Sequence, residues 1–395
     1  MREPDKLAEA ESLKRAKNYE AAIAAFELAL ENVEVPETKT CLSLAQCYVG
    51  ADKPQQVMDW LIRLTRGGDE FMSWQAAAGI LQKLLKSNPE LSGQIAKRKG
   101  RVWLTGSYTL SQLAPLVQLA ALALNVDIEI GVAGYGQHRQ DALNPASDMY
   151  AFKPDIVVIA LHHSDIERTH GTSDPTAIVA DISRDTAMIW QAIQQHSTAR
   201  ILSTNIAAPP DEAFGHLAAQ VPQSRRALIH ATNAELAKLV GQTSGVTMID
   251  ADELSSQLGK RVWFDDRYWN LSKQGVSFTC LPLLSRHIAS LIAAEYGLSK
   301  KCLVLDLDNT CWGGVIGEDG LAGIQIGQSN AKAEAFRAFQ LAVKRLQARG
   351  VILAVCSKNN DADARASRSR SIRKWCLSLT ILPCLSRTGR IRLKT

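Results

Sequence analysis

The chain has 395 residues, 46% hydrophobic and 22% charged, a balance that excludes a disordered or collagen-like chain and leaves room for two or three folded domains. No apolar run reaches the roughly 18 residues of a membrane helix, the charged start Met1-Arg-Glu-Pro-Asp-Lys lacks a signal-peptide core, and no Cys-x-x-Cys pair occurs among eight cysteines, so a cytoplasmic protein with free thiols is expected. The net charge of +5 is deceptive: residues 366–395 hold six Arg, two Lys and no acid, the rest is mildly acidic, and neither nucleic-acid nor membrane binding is expected.

Residues 1–96 are predicted to be helical. Leu7, Ala8, Ala10, Leu13 and Ala16 share one face, and Tyr19, Ala22, Ile23, Phe26 and Leu30 another. Further patterns start at Ala45, Cys47 and Tyr48 and at Val57, Trp60, Leu61 and Leu64. The stretch Ala21-Ala-Ile-Ala-Ala-Phe-Glu-Leu-Ala-Leu resembles the second helix of a tetratricopeptide (TPR) repeat. TPR-like hairpins that could bind a protein partner are expected, with a plain helical cap as the alternative.

At residue 97 the period changes. Short β-branched runs at Val102–Thr105, Val126–Ile130, Asp155–Leu161, Arg200–Thr204 and Val246–Asp250 alternate with helices predicted over 109–124, 138–151, 176–196, 223–242 and 277–296. Continuous apolar strands between helices imply a parallel sheet covered on both faces. Residues 97–298 should therefore form a three-layer α/β domain. A second α/β unit over 299–365 should contain strand Cys302–Leu307, helix 331–348 and strand Val351–Cys356.

The chemistry concentrates in Asp306-Leu307-Asp308-Asn309-Thr310. Two carboxylates this close repel unless a cation neutralises them. Mg²⁺ suits them, since it takes oxygen ligands and retains waters. Ser357 should stand at the C-terminal end of the next strand, the edge where parallel sheets bind ligands.

Asp-Leu-Asp-Asn-Thr followed by a strand ending in Ser resembles the haloacid dehalogenase (HAD) superfamily of phosphotransferases. More narrowly, Lys301 to Gly320, with Asp306-Leu-Asp-Asn-Thr-Cys-Trp-Gly-Gly at its centre, is similar to the FkbH-like group. So are Ala354-Val-Cys-Ser-Lys-Asn-Asn, Tyr150-Ala-Phe-Lys-Pro-Asp and Trp263-Phe-Asp-Asp-Arg-Tyr-Trp. The resemblance implies a partial HAD-like Rossmannoid domain. Asp306 would be the nucleophile and Asp308 the acid and base. Both would bind Mg²⁺, and Ser357, Thr310 and Lys358 would hold the phosphoryl group. It further implies removal of phosphate from a phosphorylated three-carbon donor and loading of glyceryl on an acyl carrier protein. Cys311 and Cys356 are candidates for a thiol that carries the acyl group on the way.

The middle domain resembles the SGNH-hydrolase-like, flavodoxin-like module of the same group. Gly106-Ser107 follows its first strand, where such hydrolases place a nucleophile. The Asp-x-x-His of active members is missing near Asp265-Asp266-Arg267-Tyr268, so a non-hydrolytic domain is expected, with an esterase using Ser107 or a non-catalytic interaction protein as alternatives. His162-His163-Ser164-Asp165 is read as a polar strand end with the two rings on opposite faces, and Gly134-Tyr-Gly as a turn. After Asp363 the sequence contains no acid, whereas the family carries an acidic pair and a phosphate-binding Lys there. A shifted reading frame over 366–395 is the expected cause, with a genuine basic tail as the alternative, and weak or no activity is expected.

Overall fold

The computed structural model describes residues 3–167 and 173–357; Lys358 and the basic stretch 366–395 lie outside them. The chain divides into two compact units, one ending at Leu298 and the other beginning at Ser299. Among the described residues no helix is long and apolar enough to cross a membrane.

The first unit opens with helices Glu3–Arg15, Tyr19–Leu30, Thr38–Gly50, Pro54–Leu64 and Phe71–Ser87, then a short turn of helix Glu90–Ile95. The first four pack as two consecutive pairs. Ala10, Ala22 and Ala45 are fully buried, and their small side chains let the helices approach closely. The parallel sheet follows: β1 (Arg98–Gly106), β2 (Val126–Val132), β3 (Ile156–Ala160), β4 (Arg200–Thr204) and β5 (Val246–Ile249), in the order β2-β1-β3-β4-β5. This is the flavodoxin-like order, whose ligand crevice opens between β1 and β3, where the winding reverses.

Alternate strand residues serve two cores. Val102, Leu104 and Val158 pack with helices Ala114–Ala123 and Leu281–Glu295 and with the N-terminal helices. Trp103, Val157 and Ile159 pack with helices Pro175–His196 and Arg225–Gln242. Each fully buried leucine such as Leu104 contributes about 1.5–3 kcal/mol. The helical segment and the sheet thus share one core. Arg286 joins them further, donating to the Asp69 carboxylate at 2.8 Å and the Thr65 carbonyl at 3.3 Å.

One sequence expectation changes here, and one segment without an expectation is helical. The helix expected over 138–151 is two short ones, His138–Leu143 and Asp148–Phe152, because Pro145 disfavours helical geometry at Asn144. Residues 251–272, which carry no periodic signal, form three short helices, Ala251–Leu258, Lys260–Trp263 and Asp266–Ser272.

The second unit has two parallel strands, β6 (Cys302–Leu305) and β7 (Ile352–Val355), with helix Ala331–Ala348 between them in sequence. Asn330 caps that helix, its side chain accepting from the Ala333 amide at 2.9 Å. Leu305, Leu353 and Val355 pack with Leu307, Trp312 and Val343, while Val304 and Ile352 are 58% and 57% exposed.

Candidate active site at the end of β6 and β7

Strand β6 stops at Leu305, so Asp306 is the first residue beyond it and is exposed. Leu305 pairs with Val355, which sets Asp306 level with exposed Cys356 and one step short of half-buried Ser357. The Cys356 amide donates to the Leu305 carbonyl at 2.8 Å and holds this register past the last strand residues. Asp306 and Ser357 therefore stand beyond the C-terminal ends of adjacent parallel strands.

The loop after Asp306 turns sharply. The Leu307 carbonyl accepts from the Cys311 amide at 2.8 Å and from the amide of half-buried Thr310 at 3.3 Å. Asn309 sits in the left-handed region at φ 54°, which its short polar side chain tolerates, and its Oδ1 accepts from the Gly314 amide at 3.0 Å. This turn brings Asp308 back towards the loop. Its Oδ1 accepts from the Trp312 indole at 3.0 Å and the Ile316 amide at 3.2 Å. Asp306 Oδ1 accepts from the Leu307 amide at 2.7 Å. Among the described residues, no hydrogen bond reaches Oδ2 of either aspartate.

Two carboxylates at one sheet edge, each with an uncommitted oxygen, are a donor set that fits a hard divalent cation. Among the described residues, no group of three or more His, Cys, Asp or Glu is placed to hold a metal ion.

The two candidate thiols differ. Cys311 has no exposed surface, and its Sγ donates to the Asp306 carbonyl at 3.2 Å. Burial, and then the Asp306 charge, pushes its thiol up to about 12, which disfavours the nucleophilic thiolate. Cys356 is open to solvent.

The middle sheet ends differently. A Cβ on Gly106 would lie 2.2 Å from the Ala160 carbonyl oxygen, so glycine is needed where β1 and β3 close together. The Ser107 amide donates to that same carbonyl at 2.8 Å. The Ser107 hydroxyl donates to Asp165 Oδ2, and the His162 amide donates to the same oxygen at 3.2 Å. Ser107 and Asp165 are both buried.

The His162 ring has Nδ1 3.0 Å from Ser164 Oγ and stacks on Trp269 with centroids 4.1 Å apart. Burial, and then His163, lowers its pKa to about 2. Among the described residues, no imidazole bonds to Ser107. Tyr268, where an Asp-x-x-His motif would need histidine, packs on Phe278 at 4.5 Å, and Asp265 pairs with Arg267 at 2.8 Å. The reading of His162 and His163 as facing opposite ways is corrected. β3 stops at Ala160, His163–Asp165 is a 3₁₀ turn, and the ring centroids lie 4.1 Å apart. Gly134-Tyr-Gly is a turn, with Gly136 at φ 68°.

The sequence reading assigned no role to two buried residues that hold the Asp306 loop. Trp312 bonds Asp308, and Gln340, on helix Ala331–Ala348, donates to the Cys311 carbonyl at 2.8 Å. The signal available was a polar residue on the apolar face of that helix.

Residues 102–293 match the family described as FkbH, N-terminal domain. The chain is similar to the N-terminal part of the protein BF1531 from Bacteroides fragilis, a crystal structure containing a phosphatase domain complexed with Mg. Identity is 28% and the TM-score 0.65, over 74% of this chain and 78% of that one. It is also similar to an acetyl xylan esterase, AlAXEase, at 12% identity and a TM-score of 0.35, over 49% of this chain and 99% of that one. A mutant acetyl-xylooligosaccharide esterase, Axe2 of Geobacillus, matches at 13% and 0.33, over 49% and 94%. Both esterases are too remote to support a function. A comparison with proteins of curated function gave no significant match.

Proposed function

We propose that this chain is an FkbH-like, Mg²⁺-dependent phosphatase of the HAD type. It would act on a phosphorylated three-carbon acyl donor and pass glyceryl to the thiol of an acyl carrier protein. The observation that carries this reading is the pair Asp306 and Asp308 at the end of β6, with Ser357 beyond the end of β7 beside it. The match of residues 102–293 and the likeness to a Mg-bound phosphatase domain support it.

Asp306, exposed and just past the strand, would attack phosphorus through Oδ2. An aspartyl phosphate would form as the alkoxide oxygen of the donor's phosphate ester leaves, and a separately activated carboxyl of the donor would supply the acyl group to the thiol. Asp308 would give a proton to that leaving group and later take one from the attacking water. Ser357 and half-buried Thr310 would bind phosphoryl oxygens, with Lys358 as their cationic partner. A Mg²⁺ ion held by the Asp306 carboxylate and the backbone carbonyl of Asp308 would neutralise charge on the phosphoryl group. Of the two thiols, solvent-open Cys356, level with Asp306, suits transient acyl transfer better than buried Cys311.

The test is phosphate release from a phosphate monoester by the purified chain, with Mg²⁺ and with chelator. The reading expects release that needs Mg²⁺ and is lost in Asp306→Asn. Release that survives that substitution would overturn it.

A further inference from the structure

Asp308 is gripped on one side only, and the grip comes from the core. Trp312 has no exposed surface, so its fused six- and five-membered rings are fixed by packing and its single polar atom has little freedom. That atom, Nε1, donates to Asp308 Oδ1 at 3.0 Å, and the Ile316 amide donates to the same oxygen at 3.2 Å. Two donors converge on Oδ1, while among the described residues none reaches Oδ2. Swinging the carboxylate away would leave a buried indole N–H without this acceptor, a penalty that holds Asp308 in place. The loop carrying Trp312 is itself anchored, because fully buried Gln340 donates to the Cys311 carbonyl at 2.8 Å.

We infer that Trp312 is a positioning residue for Asp308: its indole N–H holds Oδ1, so that Asp308 meets the reacting group through Oδ2 alone. The functional half of this inference rests on the phosphatase reading above; the structural half does not. Ile316 gives a second hold through its backbone, and Gln340 keeps the indole at the right height. Trp312 touches no reacting atom in this scheme. Its effect on rate passes through the orientation of Asp308, which governs proton transfer rather than substrate binding.

Two measurements on the full chain test it. With ¹⁵N in the tryptophan indoles, the Trp312 signal is the one lost in Trp312→Phe. Asp308→Ala should shift that signal and speed its solvent exchange by ~10-fold or more, since the N–H loses its acceptor. Asp308→Asn, which keeps an acceptor oxygen, should restore most of the protection. A Trp312 signal unmoved by Asp308→Ala overturns the inference, whether or not the chain is active.

In turnover, Trp312→Phe should lower kcat by ~10- to 100-fold, the size expected for one hydrogen bond to a charged group, with KM little changed. An unchanged kcat beside an inactive Asp306→Asn overturns the inference and leaves the phosphatase reading standing. Full turnover in Asp306→Asn overturns the phosphatase reading, and the exchange result then decides the inference alone.

Discussion

Both parallel sheets end with a carboxylate and a hydroxyl beyond the C-terminal ends of adjacent strands, yet the two edges are in opposite chemical states. At the end of β1 and β3, the Ser107 hydroxyl and the Asp165 carboxylate are buried and bonded to each other. At the end of β6 and β7, Asp306 is exposed, Ser357 is half-buried, and each aspartate has an oxygen with no hydrogen bond among the described residues. Location alone therefore does not make a site. A group already satisfied by its neighbour stabilises the fold, and one left unsatisfied at a solvent edge can meet a substrate or cation.

The sharpest way to break this contrast is to exchange the outcomes of matched substitutions. Asp306→Asn should reduce phosphate release by at least ~10³-fold, as expected for loss of a nucleophile, with an unchanged melting temperature. Asp165→Ala should do the reverse. It removes an acceptor from the Ser107 hydroxyl and the His162 amide, so unfolding free energy should fall by about 2–3 kcal/mol while phosphate release per folded molecule stays constant. Loss of release without loss of stability in Asp165→Ala would erase the distinction.

A smaller effect separates the edges by pH. Burial holds the folded His162 pKa at about 2, against an ordinary value of 6.5. Below 6.5 the unfolded chain takes up a proton that the folded chain refuses, so stability drops as pH falls, by up to about 1.4 kcal/mol per pH unit. Denaturant midpoints at pH 7, 6 and 5 should converge between wild type and His162→Gln on the acid side. Parallel pH curves would show that His162 is not held neutral. The mildest perturbation is alkylation under native conditions. Exposed Cys302 and Cys356 should react well before buried Cys311, and early modification of Cys311 would mean that the Asp306 loop opens readily.

Much of the fold was legible because its signals are local. Helix Ala331–Ala348 and strand Arg200–Thr204 match the ranges read from periodicity, and the aspartate pair announces itself in five residues. What the sequence hid depends on distance or depth. Ser107 and Asp165 lie 58 residues apart, and nothing in either segment says that they bond. Cys311 and Cys356 look equivalent as letters, and only packing distinguishes an inert thiol from an open one. The three short helices between 251 and 272 have too few turns to show a period. The His162–His163 geometry could not be read either, since it turns on whether β3 ends one residue earlier or later.

The bond from Arg286 to Asp69 spans 217 residues of chain, and it is partly exposed, tying the N-terminal helices to helix Leu281–Glu295. At roughly 5–20 residues per second of synthesis, the first partner leaves the ribosome some 10–40 s before the second. For that interval Trp74, Leu61 and Leu81, all fully buried in the finished fold, belong to a core that still lacks one of its helices. The protein should therefore be most open to chaperone capture and proteolysis while it is being made, and slowing elongation between codons 90 and 280 should lower its yield without altering the finished molecule.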